Sequence, residues 1–86
     1  MNEPYFSKVA AIRDGMSEAE VVRRLGRPRF VYTSASAPGN YYVPGYEFRR
    51  RKINGKALVY LGGVDLIAYI YTDASGRVEE TFIGGS

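Results

Sequence analysis

The side chains able to do chemistry are few, and their types exclude most reactions. There is no His and no Cys, which removes the usual proton shuttle, the thiolate nucleophile and most transition-metal ligand sets. The carboxylates include Glu18 with Glu20, Asp65, Asp73, and Glu79 with Glu80. Glu79 and Glu80 are neighbours on a strand-like segment, so their side chains diverge and cannot share a proton as an acid–base pair. Glu20 lies four residues before Arg24, the spacing of a helix-surface ion pair. Gly62-Gly63 and Gly84-Gly85 are followed by neither the lysine nor the helix start of a phosphate loop. No nucleophile, base and orienting group can be named together, so the chain is expected to be a non-enzyme without cofactor or metal.

Binding chemistry is better represented. Arg49-Arg50-Arg51-Lys52 and Lys56 form one basic group, and Arg23, Arg24, Arg27 and Arg29 form another. A strand alternates faces, so Arg49 and Arg51 form one patch while Arg50 and Lys52 form another. A net charge of +3 is modest for a dedicated nucleic-acid binder, and no nucleic-acid partner is expected. Attraction to anionic phospholipid headgroups fits the charges, as does a solvated edge protected by charge from pairing. Eight Tyr and four Phe exceed what two short helices can cover, so part of the set Tyr32, Tyr41, Tyr42, Tyr60, Tyr69 and Tyr71 is expected at the surface.

The elements that would position these groups are legible from local signals. Pro4 suits a helix entrance, Tyr5, Phe6, Val9 and Ile12 recur at helical spacing, and Asp14-Gly15 ends the run. Ser17 reads as the N-cap of a second helix, with Glu20 reaching back in a capping box and Met16 over Val21 as a hydrophobic staple. Val21, Val22 and Leu25 make its apolar stripe, Gly26 is a left-handed C-cap candidate, and Pro28 forbids continuation. Helices this short are marginal alone, so both need a sheet to pack on.

Beyond Pro28 the period moves towards two. Arg29 to Thr33 can extend, and Ser34 to Asn40 has loop composition. Tyr46 to Arg49 alternates as a strand, Asn54-Gly55 carries the signal of a type I′ hairpin turn, and Ala57 to Leu61 is strand-like. Leu66 to Thr72 and Arg77 to Ile83 form a hairpin about Asp73-Ala74-Ser75-Gly76. The expected fold is α+β: one domain over residues 1–86, with two short N-terminal helices on one face of a three- to four-stranded antiparallel sheet. Leu66, Ala68, Ile70, Val78, Tyr46 and Phe48 are assigned to the helix-packed side. The opposite face, with Ile67, Tyr69 and Tyr71, is expected to be partly open, and would suit a docking partner or a second copy of the chain.

The run Gly15-Met16-Ser17, three residues, Val21, three residues, Leu25-Gly26, one residue, Pro28 resembles the signature of the SmpA/OmlA domain, the family of BamE-like outer-membrane assembly lipoproteins. The resemblance continues through Tyr46-Glu47-Phe48-Arg49 as a first strand and Tyr69 to Val78 as a closing hairpin. It implies a non-enzymatic scaffold domain on the periplasmic face of the outer membrane, supporting outer-membrane protein assembly or envelope integrity. Its implied partners are other envelope assembly proteins and anionic phospholipid headgroups.

In that family the surface after Leu-Gly-x-Pro and the start of the first strand makes these contacts, which carries Arg49, beside Phe48, over to this chain. Arg29, Tyr41, Tyr42 and Arg51 are added from composition and position, and Tyr69 and Tyr71 from the aromatic row. The segment from Lys52 to Val64 is read as an insertion relative to the family. BamE-like proteins are made with a signal peptide and a lipid-bearing cysteine, and Met1 to Ile12 lacks that layout, so the chain is expected to be the mature segment of a longer precursor, soluble as it stands. Two alternatives use different surfaces: an inhibitor or interaction module docking through the sheet face, and a cytosolic nucleic-acid or phosphate binder using the arginines.

Overall fold

The computed structural model describes residues 3–36, 52–62 and 66–84, with the backbone alone for residues 3–6 and for Leu66. The elements run α1 (Glu3–Ala10), α2 (Glu18–Leu25), β1 (Phe30–Tyr32), β2 (Ala57–Gly62), β3 (Leu66–Thr72) and β4 (Val78–Gly84). The four strands form one antiparallel sheet in the order β1-β2-β3-β4. This is the α+β arrangement expected from the sequence. The strand expected from Tyr46, together with Tyr41, Tyr42, Phe48, Arg49 and Arg51, lies outside the described residues.

Local chemistry sets the helices. Ser17 is the N-cap of α2, its Oγ accepting from the Glu20 amide at 3.1 Å. Only this half of the expected capping box forms. The Glu20 carboxylate turns along the helix to Arg23 and to Arg24, whose Nε lies 2.6 Å from Oε2. Hydrogen bonds from Arg23 and then Arg24 hold the Glu20 carboxyl below its ordinary pKa. Val9 and Ile12 from the first helical run and Val21 from α2 are buried together against Leu58, Tyr60, Ala68, Ile70 and Val78 of the sheet. Met16 and Leu25 pack at the margin of that cluster.

The Gly-Met-Ser segment before α2 is tied to the start of β4. Gly15 N–H donates to the Val78 carbonyl at 2.7 Å, Val78 N–H to Met16 at 2.8 Å, and Glu18 N–H to Gly76 at 3.0 Å. Ser17 and Arg77 thus face each other across a single antiparallel bridge, and the Arg77 guanidinium donates to the Gly15 carbonyl at 2.9 Å. Gly15 has φ +94°, which turns the chain into this bridge.

The β3–β4 turn is organised by Asp73. Its Oδ1 accepts from Ser75 Oγ at 2.7 Å, Ser75 N at 2.9 Å and Arg77 N at 3.0 Å. Those hydrogen bonds, the Ser75 hydroxyl first, hold the Asp73 carboxyl below its ordinary pKa. Gly76 at φ +87° supplies the left-handed position read from the sequence.

The sheet tests three expectations. First, Ala57 to Leu61 is a strand, as read, and it is central: β2 pairs with β1 through Phe30↔Val59 and with β3 through Val59↔Tyr69. Ala57, Leu58, Val59 and Tyr60 are all buried, as a strand with both faces covered requires.

Second, Asn54-Gly55 is not a type I′ turn, because neither residue has positive φ. Gly55 donates to the Thr72 carbonyl at 2.9 Å, and Lys56 N–H donates to Thr72 Oγ1 at 2.9 Å. A Cβ on Gly55 would lie 2.7 Å from the Asp73 carbonyl carbon and 2.8 Å from the Thr72 carbonyl oxygen, so the glycine serves a close approach of two backbones.

Third, the aromatic face is not open. Ile67, Tyr69 and Tyr71 are 1–2% exposed and belong to a second core cluster with Ile53, Ala57 and Val59, bordered by Tyr32 and Phe82. Tyr69 stacks on Phe82 at 6.3 Å between ring centres and meets Tyr71 at 6.0 Å.

Three stability measurements follow from this packing. Gly55→Ala should lower unfolding free energy by about 1–3 kcal/mol in denaturant titration, since backbone must move to admit the methyl. Tyr69→Ala should cost about 3–5 kcal/mol, the range for deleting a buried aromatic ring, where an exposed docking residue would cost little. Because the Asp73 and Glu20 carboxyls are depressed in the fold, the stability they contribute is present above their unfolded pKa values and is lost as pH falls through their folded ones. Thermal melts should therefore weaken below about pH 4, and Asp73→Ala should reduce that slope.

Candidate functional site

The end of α2 and the start of β1 build a fixed corner. Gly26 takes φ +86° and ψ −169°, a region essentially restricted to glycine and further from the left-handed helical well than the sequence suggested. Its N–H donates to the Val22 carbonyl at 2.7 Å, closing the helix, and its carbonyl accepts from the Tyr60 hydroxyl at 2.9 Å. Arg29 N–H then donates to the Val59 carbonyl at 2.8 Å, seating the chain on β2. The segment carrying Arg27, Pro28 and Arg29 is thus held at both ends, and both arginines are exposed.

A cleft of about 420 Å³ opens at this corner, lined by Leu25, Arg27, Arg29, Tyr60 and Leu61. The Arg29 guanidinium stands 5.0 Å from the Phe30 ring centre, and Phe30 stacks on Tyr32 at 5.9 Å with 9° between planes. Among the described residues, Phe30, Val31 and Leu61 are the large apolar side chains most open to solvent, at 40–45%. The corner therefore offers two cations beside exposed apolar side chains.

Four of the other basic groups near the helices are already engaged, while Lys8 and Arg13, among the described residues, are exposed and unpaired. Arg23 and Arg24 are held by Glu20, Lys56 Nζ meets Glu18 at 3.2 Å, and Arg77 donates to Gly15. Among the described residues, Arg27 and Arg29 have no acidic partner. A second hollow of about 380 Å³ is lined by Ser7, Lys8, Ala11 and Arg24, with Arg24 committed to Glu20.

Of the residues singled out from the sequence, Arg29 lies at the cleft. Tyr69 and Tyr71 are removed from any surface by burial. Tyr41, Tyr42, Phe48, Arg49 and Arg51 lie outside the described residues. Sequence reasoning grouped Arg27 with the helix-end cations but gave Phe30, Val31 and Leu61 no role. The available signal was the Arg-Pro-Arg-Phe-Val run itself, which puts apolar side chains directly after two cations.

No family model matches the sequence, and no curated protein matches it. In three dimensions the chain is similar to a solved structure described as a putative osmotically inducible lipoprotein, OsmE, with a TM-score of 0.60 and 22% identity over 91% of this chain and 68% of that one. At that identity the likeness is one of fold. OsmE is an SmpA/OmlA-family lipoprotein, so this chain has the fold of the family that its Gly15–Pro28 motif resembles.

Proposed function

We propose that this chain is the folded, non-enzymatic binding domain of a bacterial envelope lipoprotein, held at the periplasmic face of the outer membrane and supporting assembly of outer-membrane proteins. The observation that carries the reading is the fold shared with a lipoprotein, reached independently of the sequence motif that resembles the same family. The α2–β1 corner is its contact surface, because Arg27 and Arg29 stand there beside exposed apolar side chains. No helix among the described residues is long and apolar enough to cross a membrane, and in this reading attachment comes from a lipid on a cysteine of the precursor. The docking-module alternative loses support, since the Ile67, Tyr69 and Tyr71 row it would use is buried.

Metabolic labelling with a palmitate analogue, applied to the product of the complete gene, tests the placement. A labelled species in the outer-membrane fraction is expected, and an unlabelled species in the cytosolic fraction would overturn the reading. For the assembly role, deletion should lower the amount of folded, heat-modifiable barrel protein in the outer membrane. Unchanged levels would remove that part of the proposal.

A further inference from the structure

We infer that the cleft at the α2–β1 corner binds the carboxylate end of a peptide whose last residue is apolar. Arg27 and Arg29 lie on either side of Pro28 in the bend between α2 and β1, and both line the same cleft. Neither has an acidic partner among the described residues, whereas Arg23, Arg24 and Lys56 do. Two unneutralised guanidinium groups on one small cleft select an anion, and the planar fork of arginine matches a carboxylate through paired N–H donors. Arg29 lies over the Phe30 ring, which restrains the guanidinium and leaves the donors at its edge available.

The rest of the lining decides what accompanies the anion. Leu25 and the 45% exposed Leu61 supply the apolar part of the wall, while Tyr60, nearly buried, backs it. Inorganic phosphate would satisfy the arginines and leave that wall uncovered. A volume of about 420 Å³ lies at the small end of ligand sites, enough for one side chain with its end group. Phe30, exposed immediately beyond Arg29 and stacked on Tyr32, gives the preceding peptide residues an apolar ring to lie against. The mount is stiff, fixed by the Tyr60 hydroxyl on Gly26 and by Arg29 N–H on Val59, so little ordering opposes binding.

The inference names a ligand for the binding role proposed above and rests on that role, but the two tests fail separately. An unlabelled protein would leave the titration below unaffected, and a failed titration would leave a lipid label in place. The probe is an N-acetylated pentapeptide ending in leucine with a free carboxylate, titrated into the 86-residue chain and followed by amide NMR shifts. Shifts should concentrate on Leu25, Gly26, Arg27, Arg29, Phe30, Tyr60 and Leu61.

Amidating the peptide terminus, or introducing Arg27→Gln or Arg29→Gln, should each weaken binding about tenfold, the effect of losing hydrogen bonds to a charged group. Both arginines are exposed, so the variants should melt like the parent. Equal affinity for the amidated peptide would overturn the inference, as would shifts elsewhere on the chain. Inorganic phosphate that moves the same signals with no peptide response would reduce the cleft to a free-anion site and also overturn it. So would arginine-dependent binding to phosphatidylglycerol vesicles without peptide binding.

Discussion

A strand with apolar side chains on both faces must be covered twice, and two adjacent strands of this chain have that character. β2 and β3 carry Leu58, Tyr60, Ala68 and Ile70 towards the helices, and Ala57, Val59, Ile67, Tyr69 and Tyr71 away from them. At roughly 25 cal/mol per Å² of apolar area removed from water, neither face could be left wet in a chain with so small a core. Central placement in the sheet follows, with β1 and β4 outside. Thr72 ends β3 fully covered: it is 1% exposed, its amide donates to Lys56 at 2.8 Å, and its hydroxyl accepts from the Lys56 amide.

The two short helices cannot hold themselves, and the structure anchors them by backbone as well as by side chain. The bridge between Ser17 and Arg77 puts the N-terminus of α2 on the edge of the closing hairpin, and the Lys56–Glu18 pair joins its first turn to the entrance of β2. At the other end, the Tyr60 hydroxyl fastens Gly26. Five residues of the Gly15-to-Pro28 motif thereby have a mechanical duty: a turn at Gly15, a bridge and cap at Ser17, burial at Val21, and release of the chain at Gly26 and Pro28. A surface ion pair contributes little by itself, so the backbone bridge and the buried valines carry most of the attachment.

The corner that presents Arg27 and Arg29 is a by-product of those anchors. The helix must stop where β1 begins to pair with β2, and the three residues between Gly26 and Phe30 have no room to wander. Cations placed on such a segment are oriented without being buried, which suits recognition of an anion in contact with water.

What the sequence determined by itself was local. The Ser17 cap, the Glu20–Arg24 pair, the Gly76 turn and the β3–β4 hairpin depend on residues within a few positions of one another, and their chemistry needs no distant partner. Tertiary structure decided the rest. Gly55 read as a hairpin glycine, yet its absent side chain matters because the Asp73 backbone, distant in sequence, comes against it. Ala57 to Leu61 read as a strand, but an all-apolar run does not reveal which strands will flank it, and only its pairing with β1 and β3 made it central. Tyr69 and Tyr71 read as a docking surface because amphipathic rings suit an interface or a core equally, and only packing against Ile53, Val59 and Phe82 chose the core. The two arginines were visible as charge, but their convergence on one cleft required the turn at Gly26 and the neighbouring strand β2.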